Sequence, residues 1–340
     1  MYEHFAVSSK ELSPRASLLL GFFIERNMNL VKRLARHLGK SEPEVIHFLA
    51  DAPNKYRVYK IPKRSYGHRI IAQPTRELKQ YQRAFLELYT FPVHSSATAY
   101  CKGKSIKDNA LSHVKNHYLL KTDLENFFNS ITPSIFWKSI ETDSITTPKF
   151  SESEIDLVER LIFWRPSKLQ GGKLVLSVGA PSSPTISNFC LYQFDEYLSL
   201  ICKEQNISYT RYADDLTFST CEKDVLHTVI PLIQSLLDYI FASELKLNRS
   251  KTVFSSKAHN RHVTGVTLSN EGKLSLGRER KRYIKHLVHS FKYGKLDDSE
   301  IRHLQGMLSF AKHIEPIFID RLKEKYTNEL IKRIYEAGHE

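Results

Sequence analysis

Leu, Ile and Phe recur at helical spacing from about Ser17 to Ala50, and Ser41 with Glu44 reads as a capping box ahead of Val45-Ile46-His47-Phe48-Leu49, which predicts a small N-terminal helical region. Pro53 ends it. The period then changes. Tyr56 to Ile61 alternates as a strand does, the basic stretch Pro62-Lys63-Arg64-Ser65-Tyr66-Gly67-His68-Arg69 reads as a turn, and Ile70-Ile71-Ala72 resumes a strand, so a hairpin with a positively charged tip is expected. A largely apolar run from Tyr118 to Thr122 leads to Asp123. A further strand pair, Tyr209 to Arg211 and Leu216 to Ser219, encloses Tyr212-Ala213-Asp214-Asp215. Between these, Glu152 to Trp164 and Ser187 to Gln205 carry helical apolar spacing, the second beginning just after Pro184. Beyond Leu276 the pattern is helical and basic, with Arg278, Arg280, Lys281, Arg282 and Lys285 set among Tyr283, Ile284, Leu287 and Val288. No internal repeat or low-complexity tract interrupts this α+β order.

With 340 residues and 41% hydrophobic content, the chain is long enough for two or three lobes around an ordinary core. It has no run near the roughly 20 apolar residues of a membrane span and no secretory leader pattern, so a cytoplasmic protein without a membrane partner is expected. Cys101, Cys190, Cys202 and Cys221 form no CxxC pair and read as reduced thiols. The net charge of +13 changes the picture more, because such a surplus attracts a polyanion and gains from counterion release. Charge alone does not separate this from a protein kept soluble by lysine.

The acidic positions carry the sharper signal. Nucleotidyl transfer requires two divalent cations about 3.5 to 4 Å apart, one activating the attacking hydroxyl and one steadying the leaving pyrophosphate. Hard oxygen ligands suit Mg²⁺. A tight hairpin with two adjacent aspartates at its turn, beside a strand ending in a third, supplies them with little backbone. Adjacent aspartates at a turn usually mean only a solvated Asx turn. Here strand-forming flanks surround Asp214-Asp215, and two acids so placed repel each other unless a cation compensates.

Tyr212-Ala213-Asp214-Asp215 resembles the YxDD box of reverse transcriptases, and Asp123-Leu124-Glu125-Asn126-Phe127-Phe128 resembles their first catalytic block. The likeness runs from about Tyr56 to Gly265 in several ordered blocks. It implies a right-hand polymerase with fingers, an antiparallel palm and a helical thumb, in which Asp123, Asp214 and Asp215 are catalytic and hold two Mg²⁺ ions, with Mn²⁺ as a substitute. Phe128 occupies the position beneath the incoming sugar, where a bulky ring excludes a 2′-hydroxyl and selects dNTPs. Lys63, Arg64 and Arg69 resemble the fingers tip that closes over a nucleotide, with Pro74, Leu78 and Lys79 continuing the pattern. Cations there neutralise the triphosphate, and Lys63 and Arg69 are the chosen pair. Leu176 to Pro184 resembles the block beneath the template, where Gly179 permits close backbone approach. This block departs from the pattern, since many relatives read Leu-Pro-Gln-Gly where this chain has Leu-Ser-Val-Gly, and Val178 lacks a glutamine's hydrogen bonds. Lys251, in Glu244 to Thr252, matches a lysine that protonates departing pyrophosphate, although a solvated basic residue is the plain alternative.

Asn109-Ala110-Leu111-Ser112-His113 is similar to the NAxxH sequence of bacterial retron enzymes, and Val263-Thr264-Gly265 to their VTG triplet, placed where relatives have a primer-gripping hairpin. Asn109 and His113, four apart on a helix, are expected to meet one RNA or primer ligand, with a satisfied surface pair as the alternative. The resemblance implies an enzyme that recognises its own structured noncoding RNA (msr-msd), starts at the 2′-hydroxyl of an internal guanosine, and makes branched RNA-linked single-stranded DNA (msDNA). It further implies a retron effector protein, host RNase H for template removal, and a part in defence against phage. Arg278, Arg280, Lys281, Arg282 and Lys285 are expected to hold the RNA by phosphate contacts and shape.

The expected division is 1–116 for an N-terminal helical extension and fingers, 117–272 for the palm with finger-side helices, and 273–340 for a basic helical thumb. With one basic helical segment before Glu340, no RNase H, integrase or HNH domain is expected. Within the same chemistry the alternatives are group II intron, diversity-generating and abortive-infection reverse transcriptases. The short C-terminus disfavours the first, and the NAxxH and VTG matches disfavour the others. A catalytically silent RNA-binding scaffold is the alternative of another class, and three intact aspartates argue against it.

Overall fold

The computed structural model describes residues 29–63, 67–142, 147–167, 169 and 171–337. The helical spacing at 17–28 and Arg64 of the hairpin tip lie outside them. The elements in chain order begin with α1 (Leu30–Leu38), α2 (Glu42–Ala50), β1 (Tyr56–Pro62), β2 (His68–Pro74), α3 (Arg76–Leu88), α4 (Ile106–Leu111), β3 (Tyr118–Leu124), α5 (Phe127–Ser130), α6 (Pro133–Thr142) and α7 (Glu152–Ile162). They continue with α8 (Ser183–Cys190), α9 (Tyr192–Glu204), β4 (Ser208–Tyr212), β5 (Asp215–Thr220), α10 (Val229–Phe241), β6 (Leu247–Ser256), β7 (Arg261–Val263), β8 (Val266–Leu268), β9 (Leu274–Ser275), α11 (Arg278–Lys292), α12 (Asp298–Ile314), α13 (Pro316–Tyr326) and α14 (Asn328–Glu336). The class is α+β with antiparallel sheets, as expected.

The chain forms two compact units, each discontinuous in sequence. One takes the described residues up to Phe91 together with Thr132–Ser183. Its helices start where side chains satisfy free backbone N–H groups: Asn29 accepts from Lys32, and Ser41 and Glu44 form the expected reciprocal box. β1 and β2 pair from Tyr56↔Pro74 to Pro62↔His68. Only the base of this ribbon is buried, so its outer half offers Lys60, Lys63, His68 and Arg69 to solvent. The base is anchored by fully buried Gln82, which donates to Tyr56 Oη and to the Leu161 carbonyl, each at 3.0 Å.

The other unit, Pro92–Ile131 with Pro184–Glu340, carries a four-stranded sheet in the order β4-β5-β3-β6 and a three-stranded one in the order β7-β8-β9. One apolar core joins Ala110, Val114 and Leu119 to Val263, Val266, Leu287, Leu304, Leu308 and Phe318. The helices from α11 onward therefore share their core with residues on the near side of the expected boundaries at 116 and 272. Burying the apolar stripes of these helices requires partner faces, which they supply largely to one another, with Ala110, Val263, Val266 and Leu268 joining the same core.

The apolar spacing from Ser187 to Gln205 predicts one helix, but two form. Leu191 leaves helical geometry at φ −93°, ψ 5°, separating α8 from α9. The break lets Asn188 of α8 and Asp195 of α9 reach the same guanidinium, that of Arg211.

Candidate active site

Strand alternation sorts the four-stranded sheet into two chemically distinct faces. Register pairs Asp123 with Asp215, Lys121 with Thr217, Thr210 with Thr217 and Tyr212 with Asp215, so these residues share one face. Tyr209, Arg211, Leu216, Phe218 and Leu120 occupy the other, where Tyr209 and Phe218 stack with centroids 4.9 Å apart. Tyr212↔Asp215 is the last pair of the β4–β5 hairpin, leaving Ala213 and Asp214 as a two-residue turn. Ala213 sits at φ +58°, a left-handed conformation that an L side chain adopts at a cost of roughly 1–2 kcal/mol. The Asp214 carbonyl accepts from the Leu124 N–H at 3.1 Å, which draws the turn against the end of β3. Three aspartates 91 and 92 positions apart in sequence thereby converge.

Their electrostatics are those of crowded acids. The surrounding chain withdraws solvent from the Asp215 carboxyl, although one side of the residue stays open, and Asp214 and Asp123 repel its charge. Together these push it up to about 6 against the pull of Lys251 and Lys121. Lys251, on β6, donates to Asp123 Oδ2, and this bond raises its own pKa. Asp123 is 3% exposed, and its Oδ1 is buried without a hydrogen-bond partner. An orphaned carboxylate oxygen on a residue whose charge, with that of Asp214, acts on Asp215 fits a divalent cation held by hard oxygen ligands. Among the described residues no three His, Cys, Asp or Glu side chains are already drawn into a set able to hold an ion alone.

The other sequence-predicted residues divide. Phe128 is half-buried two residues beyond Asn126, with its ring 5.1 Å from that of the buried Phe127. Lys63 and Arg69 are exposed on the ribbon, where the Lys63 N–H bonds the Gly67 carbonyl at 2.9 Å. Gly179 does allow a close approach, but to the chain itself. It sits at φ +129°, and an added Cβ would lie 3.1 Å from the Ala72 carbonyl oxygen of β2. The neighbouring Val178 carbonyl and Ser177 hydroxyl also bond Ala72, so this block staples the base of the ribbon.

The retron-like motifs require a larger correction. Asn109 and His113 are fully buried, so neither is a surface pair free to touch RNA. His113 lies just beyond α4 and its ring bridges Thr210 and Ser219 at 2.7 Å each. Val263 is likewise buried in the apolar core, and Thr264 and Gly265, at φ +46° and +79°, form the two-residue turn between β7 and β8. In the basic helix α11, Arg280 donates to the Gly265 carbonyl at 3.1 Å and Lys281 pairs with Glu315 at 2.6 Å. Arg278, Arg282 and Lys285 remain exposed, and with exposed His289 and Lys292 they make one stripe at i, i+4, i+7, i+11 and i+14.

Sequence reading missed what underlies the turn. Arg211 and Asp195 are fully buried and paired, with Nη2–Oδ2 at 2.6 Å and Nε–Oδ1 at 2.9 Å. Arg211 Nη1 also donates to Asn188 Oδ1 at 3.0 Å and to the Ala213 carbonyl at 3.1 Å, gripping the strained turn from behind. Tyr209 Oη completes the set by donating to Asp195 Oδ1 at 2.7 Å. The available signal was a charge in a strand whose alternation points it at the helix-covered face.

A family model described as reverse transcriptase (RNA-dependent DNA polymerase) matches residues 61–268. The chain is 51% identical over 306 residues to the retron Ec83 reverse transcriptase of Escherichia coli, covering 88% of this chain and 97% of that protein. It is 31% identical over 318 residues to the retron Ec86 reverse transcriptase of Escherichia coli, covering 90% and 92%. To the retron Mx65 reverse transcriptase of Myxococcus xanthus it is 30% identical over 308 residues, covering 86% and 70%. Because the matched region encloses the whole carboxylate sheet, and the likeness to a retron enzyme spans nearly that enzyme's full length, this chain belongs to the reverse transcriptases, the RNA-directed DNA polymerases, and within them to those of bacterial retrons.

Proposed function

We propose that this enzyme copies its own structured noncoding RNA into branched, RNA-linked single-stranded DNA, with Asp123, Asp214 and Asp215 as the catalytic carboxylates. The observation that carries this reading is the register of Asp123 against Asp215 on one sheet face, with Asp214 in the adjoining turn and Asp123 Oδ1 left without a partner. When bound there, two Mg²⁺ ions, or Mn²⁺ in their place, supply charge neutralisation for an attacking hydroxyl and a leaving pyrophosphate. Asp123 would offer its unpartnered Oδ1 to a cation while Oδ2 holds Lys251, which places the Lys251 ammonium at the same carboxylate, where it can donate a proton to the leaving group. Lys63 and Arg69, exposed on the β1–β2 ribbon, are assigned to the triphosphate by their likeness to the fingers tip of reverse transcriptases.

The exposed stripe Arg278, Arg282, Lys285, His289 and Lys292 tracks phosphates, reading an A-form helix by shape because its base edges lie in a deep groove. Initiation at a 2′-hydroxyl of an internal guanosine, trimming of the template by host RNase H, and joint action with an effector protein against phage complete the reading. Likeness to retron enzymes supports these steps. Purification of the enzyme with its bound nucleic acid, followed by separate RNase and DNase treatment, tests it. The expected product is one branched species shortened by each nuclease; a species sensitive to only one rejects the branched product.

Phe128 stands five residues beyond Asp123 and presents a half-buried ring. Phe128→Ala is expected to raise ribonucleotide incorporation relative to deoxynucleotide on the order of tenfold or more, since removing a blocking ring admits the 2′-hydroxyl. The ratio of kcat/KM for the two nucleotides checks this, and an unchanged ratio removes Phe128 from the sugar site.

A further inference from the structure

Thr210 and Ser219 are small polar residues with no room for solvent, on the sheet face that carries Asp215. Their hydroxyls enter a chain of bonds whose direction follows from counting protons. Thr210 Oγ1 donates to Asn109 Oδ1 at 2.5 Å. A hydroxyl has one proton, so its 2.7 Å contact with His113 Nε2 is an Nε2–H donating to the Thr210 oxygen. His113 Nδ1 is then bare and accepts from the Ser219 hydroxyl at 2.7 Å, and that hydroxyl accepts from Asn116 Nδ2 at 2.7 Å. At the other end Asn109 Nδ2 donates to Thr264 Oγ1 at 3.4 Å, which donates to the Ile106 carbonyl at 3.4 Å.

We propose that Asn109, His113 and Thr264 are positioning residues: through this single chain they hold the hairpin bearing Asp214 and Asp215 at the register and height that polymerisation requires. The inference rests on the reading of those aspartates as catalytic. A slip of one residue would carry Asp215 to the opposite face. The Arg211 set and the Tyr209–Phe218 stack hold the hairpin only from that opposite face, leaving the Asp215 face to the Thr210 and Ser219 hydroxyls. Apolar side chains would fill the same space without the desolvation cost of buried polar groups. A fully satisfied polar network instead admits one arrangement. Burial pushes the His113 ring down to about 3, so it stays neutral and the chain keeps its direction. The NAxxH and VTG residues thus meet each other, and the catalytic hairpin, inside the protein.

Thr210→Val keeps the side-chain shape and removes the hydroxyl, while Thr210→Ser keeps the hydroxyl. Primer extension on an RNA template, RNA affinity and thermal unfolding are measured for both, for Ser219→Ala, and for Asp214→Asn. Thr210→Val is expected to lower kcat on the order of tenfold or more, with RNA Kd and nucleotide KM within about twofold of the parent, and Thr210→Ser to retain most of kcat. If Thr210→Val fails to fold, Ser219→Ala carries the same expectation. A parental kcat in the folded hydroxyl-deleted variant overturns the proposal, as does a Thr210→Ser as slow as Thr210→Val. A loss confined to RNA affinity also overturns it, because that marks direct RNA contact. An active Asp214→Asn would instead overturn the site assignment itself.

Discussion

Asp214→Asn is expected to abolish DNA synthesis, with a loss in kcat on the order of 10³-fold or more, while RNA binding persists or tightens. Asparagine preserves the shape of the turn, whose Asp214 carbonyl still receives the Leu124 N–H. On the proposed assignment it removes a negative charge on which metal binding and, through the metal, neutralisation of the leaving group depend. The same charge repels an RNA backbone, so its loss costs nothing in affinity. It also raises the Asp215 pKa, and its removal is therefore expected to let the Asp215 carboxyl fall below its present value of about 6. Primer extension under RNA-saturating conditions measures the first effect, and a variant as active as the parent would remove Asp214 from the reaction.

Arg211→Met is expected to destabilise the fold by about 3–5 kcal/mol, because it strands the fully buried Asp195 without its partner. Adding Asp195→Leu should restore much of that stability, since a packed apolar pair often replaces a buried ion pair with little loss. Activity should not return with it. The Ala213 carbonyl, Asn188 Oδ1 and Tyr209 Oη would still lack the partners they have now, and Ala213 would hold its left-handed turn without the guanidinium behind it. Denaturant unfolding together with kcat on the refolded double variant separates the two roles. If the double variant regains both stability and full activity, the pair serves the fold alone.

Much of the fold was legible before any coordinates. The change of period at Tyr56, the basic turn near Lys63 and the apolar run into Asp123 each report a local choice of backbone, and β1, β2 and β3 form there, although β2 starts at His68, two residues inside the expected turn. The Ser41–Glu44 box is as local, because both partners lie within one helical turn. The single helix expected from Ser187 to Gln205 shows where such reading runs out. Apolar spacing is nearly continuous through Leu191, and the break is tied to where Asn188 and Asp195 must reach, a requirement set by Arg211 on another element.

The candidate site divides in the same way. By itself the sequence determined the residue types from which the chemistry is proposed: three acidic positions with strand-forming flanks, an aromatic five residues on, and a surplus of positive charge for a polyanion. Those are properties of residue types at short spacing, and short spacing survives translation into backbone geometry. Which backbone Gly179 approaches, which side of the sheet Arg211 faces, and whether Asn109 and His113 meet RNA or Thr210 were decided only in the tertiary structure. Each of these depends on pairing between segments up to about a hundred residues apart. Strand register and burial settle such pairings, and neither is encoded in the neighbours of the residue concerned.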